Sequence, residues 1–228
     1  MKKGKLFGVG VGPGDPELIT LKAYRIINEN KYIAIPGKIK NETIAYQIIE
    51  QIINNPEEKE IVSCYVEMTK DKAILSKNYD VAAKIITDIL DRGENVVYLT
   101  LGDPTIYSTY MYVHQRVEKA GYEVEIVNGV PSFCAAASRL GISLCERSEE
   151  LHVIPSSYDL EDNLSLPGTK ILMKAASKLP DIKNKVRELD NQAYMVENCC
   201  MESEKIYKNV EEFDDKAGYL SLIIVKEK

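Results

Sequence analysis

The residues best placed to do chemistry lie where an apolar, β-branched run, Val96-Val97-Tyr98-Leu99-Thr100-Leu101, ends in Gly102-Asp103-Pro104 and opens into Thr105-Ile106-Tyr107-Ser108-Thr109-Tyr110. Such a run followed by helical spacing reads as a buried parallel strand turning into a helix, which is where open α/β sheets hold ligands. Gly102 lets backbone approach a ligand, Asp103 offers a carboxylate at the strand's carboxyl end, and Pro104 starts the next turn with its φ already set. Tyr107, Ser108, Thr109 and Tyr110 crowd four hydroxyls into the mouth of that turn. A carboxylate among hydroxyls suits proton transfer or the orientation of a bound molecule. An ordinary Asp-Pro helix start would use the same residues.

The loop Gly8-Val9-Gly10-Val11-Gly12-Pro13-Gly14-Asp15 also brings bare backbone near a ligand and shows it an acid, while the later Asn128-Gly129-Val130-Pro131-Ser132 is punctuation between elements. The first is not the dinucleotide fingerprint G-x-G-x-x-G, because the third glycine would fall on Pro13 counted from Gly8 and on Asp15 counted from Gly10. The second strand, Tyr32 to Pro36, also lacks a ribose-binding acid at its end. A nicotinamide dehydrogenase is therefore discounted.

The elements that must position these loops alternate along the chain. Leu6 to Gly12 reads as a strand, followed by a helix carrying Ile19, Ala23, Ile26 and Ile27, and then by the strand at Tyr32. A helix over 43–54 with Ala45, Ile48, Ile49, Ile52 and Ile53 on one face precedes a strand over 60–66. A helix over 80–91 with Gly93 as its C-cap delivers the chain to Val96. Another runs to Lys119, capped by Gly121 and carrying His114 at its surface, and leads to a strand over 122–127. Ser132 reads as the N-cap of a small-residue helix over 133–140. The second half reads as strand 151–155, a loop through Gly168, strand 170–174, helix 180–189, strand 193–197 and a buried final strand over 219–225. Lys178 to Arg187 and Glu202 to Glu212 read as solvated charged faces. The class is α/β, with a boundary at Asn128 that gives domains 1–127 and 128–228.

Composition narrows the function. The 228 residues carry a net charge of -6, which argues against a general nucleic-acid binder and leaves acidic ligands to local lysines and arginines. No apolar run approaches membrane-spanning length, the first residues lead into a glycine-rich strand, and a cytoplasmic location is expected. The five cysteines, Cys64, Cys134, Cys145, Cys199 and Cys200, are odd in number and include no C-x-x-C pair, so neither a disulfide framework nor a metal site is expected.

With the three loops in view, the chain resembles the tetrapyrrole methylase family of S-adenosylmethionine-dependent enzymes over nearly its whole length. Gly102 to Tyr112 and the closing Tyr219 to Lys226 are similar to the branch that methylates the C20 meso carbon of precorrin-2, or of its cobalt complex cobalt-factor II, in cobalamin synthesis. The resemblance implies two α/β domains with the cofactor in the cleft between them, a tetrapyrrole substrate and a homodimer. It places cofactor contacts on Pro13, on Leu101, Gly102, Asp103 and Ile106, on Pro131 and Ser132, on Met173, and at Cys199. Related members carry glycine at the last position, so a backbone contact is what carries over there. Pro131 replaces a small polar residue, which leaves Ser132 as the hydroxyl.

Methyl transfer from a sulfonium to carbon disperses positive charge, so holding donor and carbon in line can supply most of the acceleration. The meso carbon must afterwards lose its proton. Asp103 is the candidate base with Tyr107 as helper, or Asp103 orients the cofactor instead. The acetate and propionate groups of the substrate suit Lys38, Lys40, Arg139 and Arg147 as clamps. Members of the same fold family act on other corrin carbons, on ribosomal RNA or on the diphthamide precursor, and the acidic balance weighs against RNA.

Overall fold

Alternation of buried strands with amphipathic helices builds the first of two units, Met1–Pro131, in a computed structural model that describes residues 2–155 and 160–227. Its elements are β1 (Lys5–Gly10), α1 (Leu21–Glu29), β2 (Tyr32–Ile35), α2 (Ile44–Glu50), β3 (Glu60–Ser63), α3 (Lys72–Leu90), β4 (Val96–Thr100), α4 (Tyr110–Lys119) and β5 (Glu123–Val127). The strands pair in parallel in the order β3-β2-β4-β1-β5. Central β4 is buried at every residue, which is why its sequence shows an unbroken apolar run instead of alternation.

Each face of this sheet has its own core. Ala23, Ile26 and Ile27 of α1 and Ala45, Ile48 and Ile49 of α2 pack with Val9, Ile33, Val97 and Leu99 on one side. Ala82 and Ile86 of α3 and Tyr110, Val113 and Val117 of α4 pack with Leu6, Ala34, Val96 and Tyr98 on the other. The chain leaving β1 passes β4 to reach β2, and the chain leaving β4 passes β1 to reach β5. The two connections run over opposite faces of the sheet and leave it side by side at the carboxyl edge, from the adjacent strands β1 and β4.

Helix α3 starts eight residues before the expected Asp80. Its first turn presents Ile74 half exposed, which blurs the apolar period, while the carboxylate of Asp71 caps the helix by accepting from Ala73 N and Ile74 N. Ile19 lies before α1, at the end of a short 3-10 turn over Pro16–Leu18.

The second unit, Ser132–Lys228, is a mixed sheet. It contains α5 (Ser132–Leu140), β6 (Leu151–Pro155), α6 (Leu160–Leu164), β7 (Thr169–Met173), α7 (Leu179–Glu188), β8 (Gln192–Glu197), β9 (Lys205–Tyr207) and β10 (Ser221–Lys226). The order is β6-β7-β10-β8-β9, with β6 parallel to β7 and the remaining pairs antiparallel. β10 lies between β7 and β8, which explains the buried run at this end of the sequence. Leu172, Leu179, Ile182, Val186, Met195 and Ile223 form its core. Two elements depart from the sequence reading: α6 lies within the expected loop, whose residues 156–159 are outside the described residues, and β9 lies within the charged stretch after Glu202. The unit boundary falls four residues after Asn128. Among the described residues no helix is long and apolar enough to cross a membrane.

Candidate functional site

Where the two connections of the first unit leave the adjacent strands β1 and β4, their backbones bond to each other. Gly102 N donates to Gly12 O at 2.8 Å and Gly12 N to Gly102 O at 3.3 Å, while Val11 N donates to Thr100 O at 2.9 Å. Both glycines adopt the left-handed region, with φ of 80° and 71°. The loop after β5 lies against the same spot. A Cβ on Gly129 would stand 2.2 Å from Gly102 O, and one on Gly10 would stand 2.6 Å from Gly129 N. Three strand ends therefore meet through bare backbone, at the carboxyl edge where parallel sheets receive ligands.

Asp103 staples this junction. Its Oδ1 accepts from Thr105 N at 2.8 Å and Thr105 Oγ1 at 2.5 Å, and its Oδ2 accepts from Asn128 Nδ2 at 3.1 Å and Gly129 N at 3.0 Å. Burial alone would raise its pKa, but the bonds from Thr105, Asn128 and Gly129 outweigh burial and hold it below the ordinary value. The carboxylate thus joins the turn after β4 to the loop after β5. Thr105 and Asn128 were not among the expected site residues; the Asn-Gly pair at the end of β5 is the local signal for Asn128.

The four hydroxyls of the β4–α4 turn do not share one mouth. Tyr107 is 49% exposed with φ of 46°, a left-handed conformation uncommon for a bulky residue. Ser108 Oγ accepts from Tyr110 N at 3.1 Å and stands 3.4 Å from Thr100 Oγ1, so it works within the turn. Tyr110 is fully buried over Gly8, where any Cβ would collide with its ring, and its hydroxyl lies 2.9 Å from Nδ1 of His114. His114, expected at the surface, is itself buried because Tyr110 one turn earlier on α4 gives its ring a polar partner. Tyr110→Phe would strand that nitrogen. A loss of roughly 1–3 kcal/mol in unfolding free energy is expected, measurable by denaturant titration.

The remaining candidates are distributed over both units. In the first, Pro13 is buried, and Leu101, Ile106 and Pro131 are half-buried beside the junction in sequence. In the second, Ser132 begins α5, Met173 ends β7, and buried Cys199 follows β8. Met173 and Val196 both pair with Leu222, so the ends of β7 and β8 flank the start of β10. Among the basic residues, Lys38 and Lys40 are exposed beyond the carboxyl end of β2, near the rings of Tyr65 and Tyr46 respectively. Arg147 is exposed in a left-handed turn. Arg139 is already engaged: its Nε and Nη2 donate to Glu204 Oε1 at 2.8 and 2.6 Å.

Comparison with known proteins gives the family. The chain is 38% identical over 232 residues to a protein of Methanocaldococcus jannaschii named probable cobalt-precorrin-2 C(20)-methyltransferase, covering 97% of this chain and 96% of that one. It is 30% identical to a precorrin-2 C(20)-methyltransferase of a Sinorhizobium species, covering 97% and 95%. The crystal structure of a uroporphyrin-III C-methyltransferase from Thermus thermophilus complexed with S-adenosylhomocysteine shares the fold, with a TM-score of 0.70 at 23% identity over 98% of both chains. The family model of tetrapyrrole (corrin/porphyrin) methylases matches residues 5–214, and the chain belongs to that family.

Proposed function

We propose that this chain is an S-adenosylmethionine-dependent C-methyltransferase acting on the C20 meso carbon of precorrin-2 or its cobalt complex. The observation that carries the reading is the backbone junction of Gly12, Gly102 and Gly129, in a chain whose near-full-length relatives bear the C20 name. The junction fits a cofactor of this kind: three loops converge through bare backbone at the carboxyl edge of a parallel sheet, and Pro13, Leu101 and Ile106 lie beside it in sequence. Bound S-adenosylmethionine supplies an electrophilic methyl group. The chain's task is then alignment, since a transfer that disperses positive charge needs no oxyanion hole.

Asp103 is a positioning residue in this reading. Its oxygens already take four hydrogen bonds and its pKa is lowered, which makes it a poor proton acceptor and a good clamp for two loops that touch the cofactor. Exposed Tyr107 on the same turn guides the meso proton to solvent water. Ser132 supplies a hydroxyl to the cofactor, and Met173 and the backbone at Cys199 complete its contacts.

Lys38, Lys40 and Arg147 bind substrate carboxylates, whereas Arg139 is held by Glu204. Because exposed ion pairs contribute under about 1 kcal/mol each, Lys38→Ala with Lys40→Ala should raise KM for the tetrapyrrole roughly fivefold and leave kcat unchanged. The chain forms a homodimer without disulfides; Ile74 and Val81, half exposed one heptad apart on α3, offer apolar surface for it. Light scattering should give the same dimer mass with and without reductant, and a monomer in either condition refutes this.

The test of the whole reading has two stages. Isothermal titration should detect S-adenosylhomocysteine binding, and incubation with a methyl-labelled donor should place one methyl on C20 of precorrin-2 or cobalt-precorrin-2. Folded protein that binds no S-adenosylhomocysteine overturns the cofactor. Binding without transfer to either acceptor overturns the substrate.

A further inference from the structure

Three soft or anionic side chains of the second unit converge outside the candidate methyl-transfer residues, apart from Cys199 itself. After β8 the chain folds through a tight pair of turns, with Asn198 and Cys200 both left-handed at φ of 50° and 63°. Met201 N donates to Asn198 O at 3.0 Å, and Glu204 N donates to Met201 O at the same distance. This path sets the sulfurs of sequence neighbours Cys199 and Cys200 on one side, 3.6 Å apart. One ligand atom from each of Cys199, Cys200 and Glu204 falls within 4.8 Å of the others.

The separation decides between two chemistries. A disulfide requires about 2.0 Å between sulfurs. Two thiolates at about 2.3 Å from one tetrahedral zinc stand about 3.8 Å apart, close to what is observed. Glu204 is held for the part: Arg139 grips its Oε1, and its Oε2 accepts from Cys200 N at 2.6 Å. Its side chain is 9% exposed and Cys199 is 6% exposed, while half-buried Cys200 opens a route to solvent.

We propose that Cys199, Cys200 and Glu204 form a chelating site for a thiophilic divalent cation such as Zn²⁺. Both S–H bonds break on binding, two protons leave to solvent, and two S–Zn bonds form. The Glu204 carboxylate becomes the third donor and water takes the fourth position. Two thiolates and the Glu204 carboxylate, set against the Arg139 guanidinium, carry a net charge of about -2, which the cation neutralises. A search for spaced cysteine pairs overlooks the site because its thiols are adjacent, and only the left-handed backbone at Cys200 brings them together.

The test uses the full chain under a non-thiol reductant, with no methyl donor or tetrapyrrole present, so its outcome is separate from that of the methyl-transfer reading. Titration with Cd²⁺ should produce thiolate charge-transfer absorption saturating at one ion per chain, and Zn²⁺ should displace it. Cys199→Ser and Cys200→Ser should each abolish the absorption, and Glu204→Gln should weaken Zn²⁺ binding about tenfold or more. Cys134→Ser with Cys145→Ser, which removes two exposed thiols, should leave the titration unchanged. Far-ultraviolet dichroism checks that each variant is folded. Absorption that survives in folded Cys200→Ser, or that disappears with Cys134 and Cys145, overturns the site. A 199–200 peptide lacking two hydrogens in the unreduced chain overturns it in favour of a disulfide.

Discussion

Asp103→Asn is expected to weaken S-adenosylhomocysteine binding about ten- to a hundredfold, the equivalent of one charged hydrogen bond of roughly 1.5–3 kcal/mol. The cause lies in donor count. Asparagine keeps an acceptor toward Thr105 but turns an NH₂ toward Asn128 Nδ2 and Gly129 N, so donor faces donor across the junction. The loop after β5 then loses its hold on the turn after β4. Turnover falls along with affinity, and its pH profile keeps its shape, because the group removed does not exchange the reacting proton. The alternative assignment, a base at the meso carbon, predicts affinity within a few fold and turnover down by about 10²-fold with an altered profile. That outcome would reject the positioning role, and unchanged affinity with unchanged turnover would reject both.

The same variant carries a pH signature in stability. The folded-state pKa of Asp103 lies below its ordinary value of 3.8, so the carboxylate's contribution is complete above that value and disappears as pH falls through the lowered folded pKa. The stability gap between wild type and Asp103→Asn should be constant near neutrality and should narrow below about pH 4. Urea titrations across that range measure it.

Gly129→Ala is the second large effect. Its Cβ would stand 2.2 Å from Gly102 O and 2.8 Å from Gly10 C, and both neighbours are backbone, so no flexible side chain can yield. A cost of about 3 kcal/mol or more is expected, with the unfolding midpoint lowered by about 6–12 °C. S-adenosylhomocysteine binding should be lost with it, since the separation of the three loops is what the methyl group changes. Gly121→Ala is the matched control. Its Cβ meets nothing within 4 Å, so only the left-handed φ of 85° is penalised, at about 1–2 kcal/mol, and binding is retained. Equal midpoint shifts in the two variants would refute steric convergence at Gly129.

How far the site was legible follows from where each signal sits. Gly102-Asp103-Pro104 at the end of an unbroken apolar strand could be located directly, because a strand buried on both faces shows in composition and its end shows in glycine and proline. Gly93 and Gly121 marked the ends of α3 and α4 for the same local reason, both being left-handed at helix C-termini. The start of α3 was missed where Ile74 faces solvent, and β9 was missed because three residues paired on an edge carry too little pattern. His114 looked like a surface residue until Tyr110 was seen to share its burial.

Read alone, the chain specifies its α/β class, the places where strands end, and the residue types gathered at those ends, since periodicity and turn chemistry act over a few neighbouring positions. Which ends touch was settled by folding. Strand order sets the ends of β1 and β4 side by side, pairs Gly12 with Gly102, and lays Gly129 on Gly10 and Gly102. Docking of the loop after β5 adds Asn128 and Gly129 to the two local donors of Thr105 and makes Asp103 a staple, and a left-handed Cys200 turns two adjacent thiols into a pair. Contacts between residues this distant in sequence depend on the packing of the whole sheet, which no local spacing encodes.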